Sequence, residues 1–260
     1  MAIGNYWECV LPAGTDMPPL QQILSGTTML AQQRLRSWRF EPDGPDSGGA
    51  DFAFMATPSG DMRAVVHLIK PHGRPRFYLH SAFPWLAAGA PALLRLRELY
   101  TNHFGVEGFV AACLTAGPAV SFFDPLFALN KEKYTVGTEH RFMLGAVSLD
   151  LALVAAGNMG FGPDDVKLDS SRARMLARAA EDAPDYYLFR GSVQMVRSAA
   201  FLERPFLVFR TAVVGLDRED LAIDIYVDRS RFLSRPIPTA GDIVCGSFWL
   251  QGCLVESSAG

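Results

Sequence analysis

Hydrophobic and polar residues alternate with a period of two over residues 52–80. Three such runs, Phe52–Met55, Ala64–Ile69 and Arg76–His80, are separated by turns rich in proline and glycine. Successive side chains of a β-strand point to opposite faces, so this alternation is typical of half-buried strands. Short turns join antiparallel neighbours, and the pattern therefore predicts an antiparallel meander.

Two later segments have the spacing of amphipathic helices. After Pro91, apolar residues recur at intervals of three and four, which would place them on one helical face. They are Leu93, Leu96, Leu99 and Tyr100. A second helix is predicted from a cap at Asp169 or Ser170 to about Asp182, and Pro184 would end it.

From Tyr186 onward the helical spacing disappears and strands dominate. The predicted strands are Tyr187–Val196, Pro205–Val214, Leu221–Val227 and Ile243–Val255. So few strands leave exposed edges unless the sheet closes, which favours a small barrel of the OB type. The step Gly241-Asp242 resembles the glycine–aspartate turn of small β-barrel families, a likeness that implies fold more than activity.

These elements predict an α+β protein with two domains. An N-terminal mixed antiparallel sheet with helices would occupy residues 1–165, a linking helix residues 166–184, and a small C-terminal OB-like β-barrel residues 185–260. We find no convincing sequence repeat between the halves.

The last predicted strand has two distinct faces. Val244, Phe248 and Leu250 form the better interior set, while Trp249 and Gln251 lie on the opposite face. An indole is seldom left in water, so this face should be covered by the N-terminal domain, by another subunit or by a ligand. We therefore assign Trp249 and Gln251 to a predicted interaction face.

Charge adds a second candidate surface and disfavours nucleic acid as a partner. The 24 basic and 27 acidic residues nearly balance, and residues 186–260 hold eight arginines against eight acidic residues. Such a balance is poor for displacing counterions from a phosphate chain. The local exception is Arg229, Arg231 and Arg235, which are close together on a predicted loop; either an anion-binding or nucleic-acid-binding role or a solvated loop would explain them. Arg229 and Arg231 join the predicted interaction face.

Candidate chemistry is sparse. The sequence contains no G-x-S-x-G and no phosphate-binding P-loop, and its four cysteines lack metal-ligand spacing. His67 and His80 could meet across a hairpin, but nothing nearby completes a metal set. We therefore expect no metal and no cofactor.

One apolar run could instead line a pocket. Phe123 and Asp124 lie in an aromatic segment at residues 122–127, and Tyr134 and His140 downstream would supply polar groups. The alternative is that the segment is core at a strand end.

The sequence thus predicts a binding or interaction module whose partner is an unknown protein or small molecule. The alternative is a small-molecule-binding protein or enzyme that uses the pocket near Asp124, Tyr134 and His140. Because residues 1–14 lack the pattern of a signal peptide and no long uncharged apolar stretch occurs, we expect a cytoplasmic protein without membrane contact. A homo-oligomer is compatible with this reading.

Overall fold

The computed structural model describes residues 7–10, 26–35, 48–101, 105–114, 119–154, 174–180, 183–214, 220–233 and 235–255, and these form an almost wholly β structure. The strands in chain order are β1 (Thr28–Leu35), β2 (Ala50–Ala56), β3 (Met62–Pro71), β4 (Tyr78–Leu86), β5 (Ala90–Thr101), β6 (Gly108–Cys113), β7 (Ala119–Asp124), β8 (Glu139–Leu153), β9 (Met175–Arg178), β10 (Tyr186–Phe201), β11 (Arg204–Val214), β12 (Leu221–Asp228) and β13 (Ile243–Leu254). The described helical elements are short: α1 (Trp7–Val10), α2 (Phe127–Asn130) and the 3-10 turn η1 (Arg229–Phe232).

The α+β prediction is wrong, and the segment after Pro91 shows why. It forms β5, in which Leu94 and Leu96 are fully buried while Arg95 and Arg97 are exposed. That alternation has the period of a strand, and β5 pairs with β6 on one side and β8 on the other. Helix propensity of leucine, arginine and glutamate is a weak preference, and here the pairing on both sides overrides it.

The second predicted helix falls mostly on residues outside the described ranges. Its described part does not support a helix, because Met175–Arg178 forms strand β9 and pairs with β10. No helix in the described ranges has the length and the apolar run that crossing a membrane would require.

A four-stranded antiparallel sheet has the order β1-β2-β3-β4. Strands β2 and β3 confirm the first two strands of the predicted meander. The third, predicted at Arg76–His80, overlaps β4 only at residues 78–80, because β4 continues to Leu86. A bulge between His67 and Leu68 shifts the β3–β4 register by one residue. This sheet covers one face of the larger sheet.

The nine-stranded sheet closes into two five-stranded rings that share β8 and β13. We call them the first ring (β5-β6-β7-β13-β8) and the second ring (β10-β11-β12-β8-β13). In each ring a three-stranded antiparallel meander is completed by the two shared strands. The predicted barrel strands are therefore present as β10 to β13, but their ring closes through β8, which comes from the N-terminal side of the predicted boundary. The domain division at residues 165 and 184 stays a prediction.

The two rings repeat one topology. The first strand of each meander pairs antiparallel with the long strand that follows that meander, β5 with β8 and β10 with β13. The last strand pairs parallel with the other long strand, β7 with β13 and β12 with β8. Matching hydrogen bonds support the equivalence: Leu96 is bonded to Gly137 and Thr138, and Val193 to Gly241 and Asp242. The halves thus exchange their long strands about a pseudo-twofold axis.

The core follows from this arrangement. Inward-facing aromatic and aliphatic residues of both rings form one continuous cluster, and Phe127 of α2 and Phe232 of η1 pack into it, one per ring. A second cluster lies between the four-stranded sheet and the outer face of the rings, with Trp85 on one side and Trp249 on the other. Full burial of a large apolar side chain contributes about 1.5–3 kcal/mol, so both interfaces are strongly favoured.

Candidate functional site

Asp124 ends β7 and organises the segment that follows it. Its fully buried carboxylate accepts hydrogen bonds from the Leu126 backbone N–H at 2.9 Å, from Asn130 Nδ2 at 3.0 Å and from the Tyr134 hydroxyl at 2.6 Å. An aspartate that accepts from the N–H two residues ahead forms a turn, which here opens α2. Asp124 therefore holds α2 and residue 134 against the mouth of the first ring.

Burial governs the titration of this cluster. It raises the pKa of Asp124, against the opposing effect of the three donors, and it raises the pKa of Tyr134, with the Asp124 charge acting in the same direction. Burial also raises the pKa of the Cys253 thiol to about 12, with the Asp124 charge again contributing. At neutral pH Tyr134 and Cys253 therefore keep their protons. The hydrogen bonds of this cluster fix the position of the segment that leads to His140.

Phe123 lies on the opposite face of β7 from Asp124, because neighbouring strand residues alternate. Its ring packs against Phe83 at 5.1 Å, Phe109 at 5.6 Å and Trp249 at 5.9 Å between centroids. Phe123 thus belongs to the interface beneath the four-stranded sheet, while Asp124 and Tyr134 belong to the ring mouth.

His140 is the member of the predicted pocket that reaches the surface. Its ring is edge-on to the Tyr134 ring, with 5.9 Å between the centroids. Because the Tyr134 hydroxyl donates to Asp124, the structure brings these three predicted residues together. Nε2 of His140 lies 2.9 Å from Thr138 Oγ1 and 3.3 Å from the Thr135 backbone N–H. His140 also lines an open groove of about 490 Å³.

Trp249 and Gln251 are covered by the chain itself. The Trp249 indole N–H donates to Asp185, and the side chain is almost fully buried. Gln251 accepts from the Leu86 N–H at 2.9 Å and donates to the Pro84 carbonyl at 2.7 Å, which fastens β4 to β13. We expect this face to be covered by the N-terminal domain, by another subunit or by a ligand. In the structure the four-stranded N-terminal sheet covers it.

Arg229 and Arg231, by contrast, lie on the surface in η1. The Arg231 guanidinium donates to the Leu149 carbonyl. The next residue, Phe232, is buried. The two parts of the predicted interaction face are therefore separated: Trp249 and Gln251 inside, Arg229 and Arg231 outside.

His67 is buried rather than half-exposed on its strand. Its Nε2 lies 2.9 Å from the Pro125 carbonyl, which can only accept, so Nε2 carries the hydrogen and Nδ1 accepts from Ser81 Oγ at 3.1 Å. Burial, followed by the nearby charge of His80, lowers the pKa of His67 to about 3. Among the described residues, no group of three or more His, Cys, Asp or Glu side chains is placed to hold a metal ion.

Sequence reasoning missed a charged network between the two sheets. The fully buried carboxylate of Asp224 accepts from Arg210 at 2.8 and 3.1 Å and from Arg197 at 3.2 Å, and Arg197 also contacts Asp61. The sequence signal that could have revealed this network is a charged residue inside each of two apolar predicted strands, Arg210 in one and Asp224 in the other. Asn130 and Leu233 were also missed, and no sequence pattern singles them out.

Comparison of the chain with protein-family models, with curated protein sequences and with solved structures finds no match.

Proposed function

We propose that this protein is a binding module that docks an acidic protein segment through the described residues 229–233 and 235–237, which we call the basic loop. The observation that carries the proposal is Leu233, whose side chain is 87% exposed between the exposed Arg231 and Arg235. Arginine is enriched among the residues that dominate interface binding energy, and an exposed leucine gains apolar burial when a partner covers it.

The charge of the basic loop supports an acidic partner. Asp228, the acid nearest in sequence, accepts from Arg204 and from the Ser230 N–H at 2.8 Å. Asp242 accepts from the Thr239 N–H at 2.7 Å and from its hydroxyl at 2.9 Å. Arg204 neutralises Asp228, whereas Asp242 keeps its charge because its donors are neutral. Three arginines against this one carboxylate leave the loop with a local excess of positive charge.

Hydrogen bonds within the chain support the described residues of the basic loop. Asp228 caps η1, the Leu233 N–H donates to the Ser230 carbonyl at 3.3 Å, and the Arg235 N–H donates to the Phe232 carbonyl at 3.3 Å. Phe232 anchors it in the second ring, 5.8 Å from the Phe209 ring. A preorganised loop loses little conformational entropy on binding.

A protein segment fits this loop better than a nucleic acid. Single-stranded nucleic acids are bound by exposed aromatics on which bases stack, but Phe232, the aromatic residue of the loop, is buried. Three arginines also neutralise few phosphates. Leu233 would gain from an apolar contact that a phosphate chain does not offer. We place this binding in the cytoplasm, where free thiols such as Cys113, Cys245 and Cys253 stay reduced.

Fluorescence anisotropy with a labelled synthetic peptide, in which glutamates flank a single leucine, tests the proposal. We expect Arg229→Ala/Arg235→Ala to weaken binding by about tenfold or more, and Leu233→Ser by about fivefold. Arg74→Ala/Arg76→Ala, in the turn between β3 and β4, is the matched control and should bind like wild type. Binding should weaken as sodium chloride is raised, since the charges are exposed.

Several outcomes would contradict the proposal. Wild-type protein that does not bind the peptide at low salt, or equal loss of affinity in the control variant, would exclude the loop as a specific acidic-segment site. Tighter binding to a single-stranded oligonucleotide or to anionic vesicles would assign the loop to another class of partner. Concentration-dependent self-association lost in Leu233→Ser would make a second copy of the chain the occupant.

A further inference from the structure

A groove on the first ring lies apart from the basic loop and is built from different elements. Its walls come from the beginning of β5, the segment before β8, the first residues of β8 and the end of β13. The lining residues are Leu93, Lys133, Glu139, His140, Arg141, Leu254 and Val255. Its volume of about 490 Å³ is within the range of small-molecule sites.

The groove has one charged wall and one apolar wall. Lys133, His140 and Arg141 contribute basic groups, and the Glu139 carboxylate lies 3.7 Å from Arg95. The charged wall therefore favours an anion. Leu93, which is 51% exposed, faces the same space together with Leu254 and Val255. A ligand that covered them would gain apolar burial.

The charged wall is rigid. His140 and Arg141 lie on β8, which pairs with β5 on one side and β13 on the other. Thr138 and Thr135 both contact Nε2 of His140, which fixes the orientation of its ring. Behind His140, Tyr134 is fixed by its hydrogen bond to Asp124. This support explains why the buried aspartate cluster lies next to a surface groove.

We propose that this groove binds a small carboxylate that bears a short apolar chain. Arg141 would bind the carboxylate, because the planar guanidinium matches a carboxylate in a two-bond arrangement. Lys133 would add charge, and His140, which points to the other face of β8, would border the bound ligand. The apolar chain would lie along Leu93, Leu254 and Val255. The groove stays open on one side, which suits a short chain rather than a large enclosed cofactor.

Isothermal titration calorimetry with octanoate tests this assignment, with octanol, acetate and octyl phosphate as comparison ligands. We expect octanoate to bind more tightly than octanol, which lacks the charge, and acetate, which lacks the chain. Arg141→Gln should weaken octanoate binding by about tenfold, and Leu93→Ser by about fivefold. Arg76→Gln and Leu79→Ser, at exposed positions outside the groove, are matched controls and should leave the affinity unchanged.

A second readout locates the ligand. In NMR spectra the imidazole signal that is missing from His140→Gln should shift on titration with octanoate, while the signal of the exposed His72 should not. This measurement remains informative if one of the variants is poorly folded.

The proposal is overturned if wild type shows no saturable octanoate binding, if octanol binds as tightly as octanoate, or if the His140 signal stays still. Tighter binding of octyl phosphate would replace the carboxylate class with a phosphate class. The site is independent of the basic loop, so Arg229→Ala/Arg235→Ala should keep full octanoate affinity whatever happens to peptide binding.

Discussion

The hydroxyl of Tyr134 shows how a single polar contact can support the surface above it. It donates to the buried carboxylate of Asp124 at 2.6 Å and packs beside His140. A hydrogen bond to a charged acceptor contributes more than a neutral one, and its loss leaves the carboxylate partly unsatisfied. The Asp124 cluster is therefore a structural support whose loss should be felt in stability before it is felt in binding.

We expect Tyr134→Phe to lower the free energy of unfolding by about 1.5–3 kcal/mol, because the buried acceptor loses its shortest donor. Urea denaturation measures this. Tyr100→Phe is the matched control: its hydroxyl contacts Glu98 on the surface, and such a change should cost under about 0.5 kcal/mol. Equal effects of the two substitutions would contradict a structural role for the Asp124 cluster.

His67 makes the stability of the fold depend on pH. Its pKa is lowered to about 3 in the folded protein, against about 6.5 when unfolded, so between these values the unfolded chain binds more protons. Stability is present above pH 6.5 and is lost as the pH falls. His80, whose pKa burial also lowers, acts in the same direction, and Asp124, whose pKa is raised, acts in the opposite one.

We expect His67 to account for a loss of about 2 kcal/mol between pH 7.5 and pH 5, from the linkage of one group with this shift. Urea denaturation at both pH values measures it. His67→Gln should reduce the dependence by that amount, whereas His72→Gln, at an exposed turn position, should keep it. A pH dependence that is unchanged in His67→Gln would show that His67 is not buried in the neutral form.

At the scale of elements, whether a segment forms a strand depends on partner strands that are distant in the sequence. The alternation over residues 52–80 predicts β2 and β3 because their apolar side chains are buried, whereas the buried residues of β4 lie beyond residue 80. In β5 both readings fit, since Leu93, Leu96 and Leu99 have helical spacing while Leu94 and Leu96 have strand spacing. The choice is made by β6 and β8, which are distant in sequence, so it could not be read from the segment alone.

The hairpin between β10 and β11 contains a strained turn. Leu202 and Glu203 have φ values of 47° and 64°, a left-handed conformation that favours glycine. Leu202 packs beneath the four-stranded sheet, whereas Glu203 is exposed. We expect Glu203→Gly to stabilise the protein by about 0.5–1 kcal/mol, measured by thermal unfolding. Glu203→Ala keeps the backbone strain and should bring no gain; equal stabilisation by both would refute the strain.

At the scale of the whole molecule, β8 and β13 each complete both rings. Neither half therefore contains all the strands of either ring. The sequence predicts the inward set of β13, Val244, Phe248 and Leu250, and the structure confirms it. It does not predict the exchange of long strands, because that depends on which distant partner each strand finds. The same holds for the candidate site. Asp124 can be predicted from the sequence because it forms a local turn, whereas the burial of Trp249 cannot, because it depends on packing against another sheet.

Co-expression of residues 1–164 and 165–260 as separate chains tests the exchange. We expect the two fragments to copurify in equal amounts with the circular dichroism spectrum of the intact protein, because each supplies a strand that both rings need. Neither fragment should fold alone. A C-terminal fragment that folds without its partner would instead establish residues 185–260 as a self-contained barrel.

Hydrogen–deuterium exchange with and without the glutamate–leucine peptide tests the proposal that the basic loop is the surface through which this protein binds. We predict that the peptide slows exchange within the basic loop and leaves β13 around Trp249 and the edge strand β1 unchanged. Protection centred on β13, on β1 or on any other segment outside the loop, or no protection at saturating peptide, would contradict the proposal.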